Sequence, residues 1–525
     1  MAYTYGDKIN GYEYLPKDKR KKILLLSDDL RMSSGVGTVS REMVLGTAHY
    51  YNWVQLGGAV KHPEMGKRVD VSEAVNKETG ITDSSVIIYP LDGYGTIDLL
   101  RQIITIEKPN ALFPYTDPRF WVWLWQHEHE LRQKLPLLFY HVWDDLPFPK
   151  YNEPYYESCD WIGCISRQTY NIVKNVWKNN PPKDWQVEYV PHGINTNTFY
   201  PVSFENQGKK QTIPSGKFIE KPNEKGEIIK QEELVEKNDY EIMIDVKSRI
   251  FGDIEPEFVL LYVNRNVRRK MTQDVVLAYN EFCNGLSEEN AKKCVLLMHT
   301  APIDEAGTDL PAMIKQLEIK HKVIFSDARI EPRFMNIIFN IADVTINIAS
   351  NEGFGLGTAE SLMVGTPIIV NVTGGLQDQC GFMKEDGTYI TVADYNADWG
   401  SNHNGKYKKH GEWVKIIFPS TISLMGSIPT PYIYDDRCRW QDVAPLIREW
   451  YDMGREKRKE LGMKGREYMM RSDIGMTTLE MCKRFMDGIE KTFATWTPRK
   501  RFAISKVSDN GIFVNIGDKS DVIIN

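Results

Sequence analysis

Residues 350–370, SNEGFGLGTAESLMVGTPIIV, set Glu352 and Glu360 eight positions apart around Gly353, Gly355 and Gly357. VTINIAS (344–350), which reads as a strand, leads into them, and the apolar TPIIVNV (366–372) follows. The pattern reads as strand, glycine-containing turn, helix, strand. A helix opening near Thr358 turns backbone N–H groups toward whatever lies at its start, which suits negative charge or ligand hydroxyls. Glu360 falls in its first turn and Glu352 in the loop before it. Carboxylates accept hydrogen bonds from vicinal hydroxyls. The pair therefore reads as two clamps on a sugar-like ligand, set against the plainer reading of an acidic first helical turn.

Outward from this stretch, apolar runs alternate with helical patterns. KKILLLSDD (21–29) reads as a first buried parallel strand, followed by the loop RMSSGVG and a helix capped near Ser34 or Thr38. SSVIIYPLDG (84–93), ALFPYTD (111–117), PLLFYHVWDD (136–145), WIGCIS (161–166) and VEYVPHGIN (187–195) continue the series. Residues 202–255 break it with Lys, Glu, Asn and Gly, and predict a surface insertion or long linker. The alternation restarts at FVLLYVNRN (258–266), CVLLMHT (294–300), KVIFSD (322–327), VTINIAS and TPIIVNV. Residues 384–435 are a polar excursion, 439–493 are helical, and 498–525 open on the basic run PRKRF and end in a β-like tail. Two such halves predict an α/β chain of two Rossmann-like, doubly wound parallel-sheet domains facing across a cleft. Ligands in such sheets bind beyond the carboxyl ends of the strands, where the motif residues fall.

A chain of 525 residues is too long for one hydrophobic core. Its 42% hydrophobic and 26% charged content is that of an ordinary globular protein, and a net charge of -6 argues against a generally basic nucleic-acid binder. Seven scattered cysteines, without a CxxC pair, read as reduced core thiols, and the expected location is cytoplasmic. MAYTYGDKINGYEYLPKDKRKK has no apolar stretch of the kind found in a signal peptide, and no run of 18 apolar residues predicts a membrane span. Trp121, Trp123 and Trp125 cluster in RFWVWLWQHEHE. The simpler reading is a core segment, and the alternative is a stacking wall for a sugar or base.

The opening stretch resembles the E-x7-E signature of retaining glycosyltransferases of the GT-B fold, specifically glycosyltransferase family 4. Ser350, Glu352, Gly353, Phe354, Gly355, Leu356, Glu360, Gly365 and Pro367 match its pattern. VNRNVRRK resembles the family's Arg-x4-Lys element and implies Arg265 and Lys270 beside a diphosphate, where cations offset the charge on the leaving group. Asn264 and Met271 stand where the family usually has glycine. VPHGINTNTFYP (190–201) is similar to the segment closing the acceptor domain, with His192 near the cleft, and CDWIGCISRQT is similar to the segment before it. By position, SSGVG implies that Gly35 and Gly37 let backbone approach the donor. The resemblance further implies that His141, in LLFYHVWDD, hydrogen-bonds the transferred sugar, with Asp144 and Asp145 following it.

The resemblance thus implies catalytic roles for His141, Glu352, Arg265 and Lys270. Donor binding falls to Gly35, Gly37, Gly353, Phe354, Gly355, Leu356 and Glu360. No cofactor or metal is expected, since Arg265 and Lys270 supply the positive charge. Residues 1–200, with a crossover helix at about 475–495, form the acceptor domain. Residues 201–257 are the insertion, 258–475 the donor domain, and 497–525 a tail. The implied function is transfer of a sugar from a nucleotide-sugar to an acceptor hydroxyl with retained configuration. Residues 54–70, VQLGGAVKHPEMGKRVD, loosely resemble glycosyltransferases of large tailed phages. That raises a modified DNA base as acceptor, with residues 120–125 and Arg499 to Arg501 as the surfaces to test. A polysaccharide, lipid or small-molecule acceptor, a non-catalytic nucleotide-sugar binder, an epimerase and a phosphorylase are the alternatives.

Overall fold

The computed structural model describes residues 7–59, 61–222, 228–500, 505–507 and 513–515. The N-terminal sheet contains β1 (Lys21–Asp28), β2 (Tyr51–Gly58), β3 (Val69–Asp70), β4 (Val86–Pro90), β5 (Ala111–Thr116), β6 (Leu138–His141), β7 (Trp161–Cys164) and β8 (Val187–Tyr189). Their order is β8-β7-β6-β5-β1-β2-β4-β3, parallel throughout except for β3. Ile23, Leu24, Leu25 and Leu26 are fully buried, as expected of a central strand covered on both faces. Strand β2 was not among the strands predicted from sequence. Its Asn52 and Gln55 interrupt the apolar run, and Gln55 is buried because its amide bonds Ser27 Oγ at 2.8 Å.

The insertion after β8 is not a structureless linker. It folds as a hairpin, β9 (Lys210–Pro222) with β10 (Ile228–Asn238), followed by a helix, Asp239–Phe251. Asn238 and Glu241 cap that helix reciprocally, each side chain accepting the other's backbone N–H at 2.8 Å. Polar side chains on both faces of the hairpin hid it from periodicity.

The C-terminal sheet contains β11 (Phe258–Val263), β12 (Cys294–His299), β13 (Val323–Ser326), β14 (Val344–Asn347), β15 (Ile368–Asn371) and β16 (Val414–Ile417). All are parallel, in the order β13-β12-β11-β14-β15-β16. The order reverses between β11 and β14, so the loops that leave these two strands open onto one crevice. The equivalent reversal in the first sheet lies between β5 and β1. The region 384–435 is more than an excursion. It supplies β16 and a second hairpin, β17 (Thr421–Ser427) with β18 (Thr430–Arg437). That hairpin straps the two domains together: Tyr434 N donates to Leu146 O at 2.6 Å, and Tyr151 OH to Tyr432 O at 2.8 Å.

Helix Thr478–Thr495 crosses back to the N-terminal domain. Its Glu490 pairs with Lys21 Nζ at 3.0 Å and accepts from Tyr51 OH at 2.9 Å. All seven cysteines are buried and free. Among the described residues, no helix is long and apolar enough to cross a membrane. Trp121 and Trp125 are core residues, 1% and 5% exposed, so the aromatic cluster is no open stacking wall. Only Phe120 of that segment stands out, stacked on Tyr94 with ring centroids 4.5 Å apart. Arg501 lies outside the described residues, as does much of the tail.

Candidate active site

A cavity of about 1190 Å³ lies between the two sheets. Its C-terminal wall is built from the loops after β11 and β14, which are stitched together. Ser350 N donates to Arg269 O, and Arg269 Nη1 to Asn351 O, both at 2.8 Å. The sequence between β14 and the next helix, Leu356–Met363, contains Gly355 at φ +87, a left-handed conformation that glycine adopts without penalty. That turn points the start of the helix into the cavity.

Lys270 and Glu352 meet at the centre of this wall as a buried ion pair, Nζ to Oε2. Asn347 Nδ2 adds a hydrogen bond to Glu352 at 3.2 Å. Burial works against the Glu352 charge, but Lys270 and Arg269 outweigh it and hold the carboxyl below its usual range. Burial also pulls the Lys270 ammonium down, and Glu352 opposes that fall. Arg265 lines the same cavity with its side chain 70% exposed, leaning on Asp304 at 3.0 Å. Met271 adopts φ +52 directly after Lys270. That left-handed geometry is what the glycine of the resemblance would take freely, and here a buried methionine takes it.

Glu360 faces the cavity from the second turn of that helix, not the first, because the helix opens at Leu356 rather than near Thr358. No described residue pairs with its carboxyl, and burial pushes it up to about 8. Gly353, Phe354, Gly355 and Leu356 also line the cavity. From the opposite wall Gly35 reaches Leu356 so closely that a Cβ on it would lie 3.2 Å from Leu356 Cδ1. Gly37 is not at the cavity. Its N–H bonds the capping Ser34 Oγ at 2.9 Å, and a Cβ there would meet Met32 O at 2.7 Å.

The structure does not bring His141 to the cleft. Its ring turns into the N-terminal core, fully buried, with Nε2 2.9 Å from Tyr156 OH, and burial pushes its pKa down to about 3. Alternation along β6 explains this, since His141 shares a face with Phe139, whose ring is 5.0 Å away. His192 lines the cavity instead, edge-on to Phe354 at 5.0 Å, with Nδ1 2.7 Å from Tyr140 OH. Burial pushes it down to about 3 as well, so it is a neutral imidazole. Arg269, Asp117, Arg119, Asp144, and Thr430 and Ile433 of the hairpin also line the cavity. Arg269 was in view in RNVRRK. The hairpin had no signature, because it enters the cleft by tertiary packing alone.

Residues 244–397 match the family model for glycosyl transferases group 1. Over 163 residues the chain is 31% identical to an alpha-monoglucosyldiacylglycerol synthase of Streptococcus pneumoniae, covering 31% of this chain and 32% of that one. The chain thus spans about a third of the length of the curated relatives it matches, 37% and 32%. Whole-chain likeness is structural. Sucrose-phosphate synthase from Thermosynechococcus elongatus superposes with a TM-score of 0.58 at 14% identity, covering 90% of this chain and 100% of that one. Anabaena HepE in complex with UDP-glucose gives 0.56 at 10% identity, covering 90% and 99%. The fold is GT-B.

Proposed function

We propose that this protein is a retaining glycosyltransferase that moves a sugar from a nucleotide-sugar donor to an acceptor hydroxyl. The observation that carries the reading is the convergence of Glu352, Lys270, Arg269 and the 353–357 turn at one end of the cleft. The loops after β11 and β14 both open there. The match to glycosyl transferases group 1, over residues 244–397, takes in these loops, and the UDP-glucose bound by Anabaena HepE supplies the class of donor.

In this reading the donor diphosphate sits against Arg265, Arg269 and Lys270. Fixed cations in a partly enclosed site stabilise the charge that develops on the departing nucleoside diphosphate. The N-terminus of helix Leu356–Met363 adds its backbone N–H groups to the same task. Glu352 and the turn backbone hold the sugar hydroxyls, and Glu360 holds the ribose. His192, neutral, hydrogen-bonds rather than charges the sugar. Attack occurs on the face the diphosphate leaves, and the leaving oxygen takes the acceptor's proton.

The acceptor enters from the N-terminal wall and the hairpin. The surfaces offered for a modified DNA base give that version little support. Trp121 and Trp125 are buried, and Arg499 is occupied by Glu128 Oε1 at 3.0 Å. The pneumococcal relative, an alpha-monoglucosyldiacylglycerol synthase, makes a lipid hydroxyl the acceptor class to try beside saccharides.

A thermal-shift panel of UDP-, GDP-, ADP- and CDP-glucose against the wild type and Glu360→Ala tests the reading. One donor should raise the melting temperature, and Glu360→Ala should erase that rise. NMR of the product's anomeric configuration then tests retention, which an inverted product would refute. Binding without turnover on any acceptor would favour a nucleotide-sugar binder. No stabilisation by any donor would remove the reading.

A further inference from the structure

Asp144 occupies the cleft without a role in the scheme above. It follows β6 at the carboxyl end of the N-terminal sheet and lines the same cavity as Glu352, Gly353 and Arg269. Every other candidate on that wall is engaged. Asp145 accepts from Asn351 Nδ2 at 2.5 Å and Asn402 Nδ2 at 3.0 Å. Asp117 is held by Arg119. His141 is turned into the core, and His192 is bonded to Tyr140. No other described residue donates a hydrogen bond to the Asp144 carboxylate.

The donor domain leaves a gap shaped for this side chain. Gly374 has φ +48, and a Cβ on it would lie 3.1 Å from Asp144 Oδ2 and 2.4 Å from Glu352 O. Asp144 therefore sits beside the backbone of Glu352, on the acceptor side of the cleft. Glu352, Arg265, Arg269 and Lys270 stand on the donor-domain segments after β11 and β14, and Glu360 on the helix Leu356–Met363. Among the described residues, the N-terminal wall otherwise offers no unengaged carboxylate for the incoming O–H, and the open carboxyl of Glu360 stands on the opposite domain.

We infer that Asp144 is a catalytic residue that accepts the hydrogen bond of the attacking hydroxyl and fixes its lone pair toward the anomeric carbon. This rests on the glycosyl-transfer reading of the cleft. In the step, the acceptor oxygen bonds to the anomeric carbon while the bond from that carbon to the diphosphate oxygen breaks. The diphosphate leaves with the electron pair and takes the acceptor's proton on its released oxygen. Asp144 stays ionised throughout. Positioning of this kind contributes through proximity and orientation.

The test uses the full chain and the four-donor panel, with water as the attacking hydroxyl and nucleoside diphosphate release as the readout. Asp144→Asn is expected to keep the donor-induced thermal shift and the melting temperature of the wild type while losing at least 100-fold in release rate. The wild-type rate should rise as pH passes upward through about 6, the value to which burial pushes this carboxyl. Glu352, Arg269 and Lys270 of the donor loops, Asp145 beside it and Asp436 of β18 are the charges that face it. Asp144→Asn should flatten that limb.

A release rate within twofold of wild type in Asp144→Asn would overturn the inference. Loss of the donor shift in that variant would also overturn it, by assigning Asp144 to the donor. Donor-induced stabilisation of the wild type with no measurable release would overturn it too, while leaving the donor site standing. Absence of any donor effect on the wild type would instead sink the glycosyl-transfer reading, and this inference with it.

Discussion

Replacing Glu360 with glutamine should make the empty protein more stable and the donor complex weaker. Burial without a partner pushes this carboxyl up to about 8, against an ordinary 4.5. A folded-state pKa raised above the unfolded value means the folded chain holds the proton longer. The linkage penalty is therefore absent below about pH 4.5 and grows as pH rises toward 8. At pH 7.5 the gap from 4.5 is about 3 units, or about 4 kcal/mol at 1.36 kcal/mol per unit. The cavity opens to water, which relaxes that figure by about half. Glu360→Gln is thus expected to gain about 2 kcal/mol at pH 7.5 and about nothing at pH 4.5. Urea unfolding of both proteins at the two pH values measures this. Donor affinity should move the other way, weakening by about 10- to 100-fold as charge-assisted hydrogen bonds to the ribose are lost. A variant less stable than wild type at pH 7.5, or equally changed at both pH values, would refute the reasoning. It would mean Glu360 has a partner in solution.

Lys270→Ala leaves the buried Glu352 with only Arg269 and the Asn347 hydrogen bond to offset its charge, so it should cost about 3 kcal/mol in chemical unfolding. Adding Glu352→Gln to it should recover part of that loss. Arg167 makes the corresponding pair across the domains, Nη1 to Asp378 Oδ1 at 3.6 Å, with its backbone N–H also bound to Asp378 Oδ2 at 3.0 Å. Arg167→Ala should cost a similar amount, and limited proteolysis should then cut between the domains sooner. Met271→Gly relieves a left-handed backbone worth about 1 kcal/mol but opens a cavity costing about 2–5 kcal/mol. The net loss of about 1–4 kcal/mol is readable as a lower midpoint in urea. A more stable Met271→Gly would show that the methionine's burial contributes little.

Much of the fold was legible because the information is local. Ile23 to Leu26 and Phe258 to Val263 are continuous runs of aliphatic and aromatic residues, and such runs read as buried parallel strands without tertiary knowledge. The donor-side cluster was legible for the same reason. Glu352, Gly355 and Glu360 are fixed relative to one another by one turn and one helix, so their spacing carries their geometry. Arg265 and Lys270 follow a strand directly and fall at its carboxyl end. The hairpin after β8 was hidden because its two faces are both polar, leaving no period to read. Strand β2 was hidden because a buried glutamine, satisfied by Ser27, breaks its apolar run.

What only the tertiary structure decided lies across the cleft. Sequence places His141 and Asp144 together after one strand. Which of them faces the cavity depends on the pleat of β6 and on Phe139 and Tyr156, which take the histidine into the core. The lock of β17–β18 onto Leu146 and Tyr151 joins residues nearly 300 positions apart, 151 to 432, and no short-range pattern encodes that. The sequence by itself determined two doubly wound sheets and the loops after β11 and β14, because each depends on contacts within a strand–turn–helix unit. The N-terminal wall of the cleft was decided by the approach of one domain to the other, because what its residues face depends on what stands opposite them.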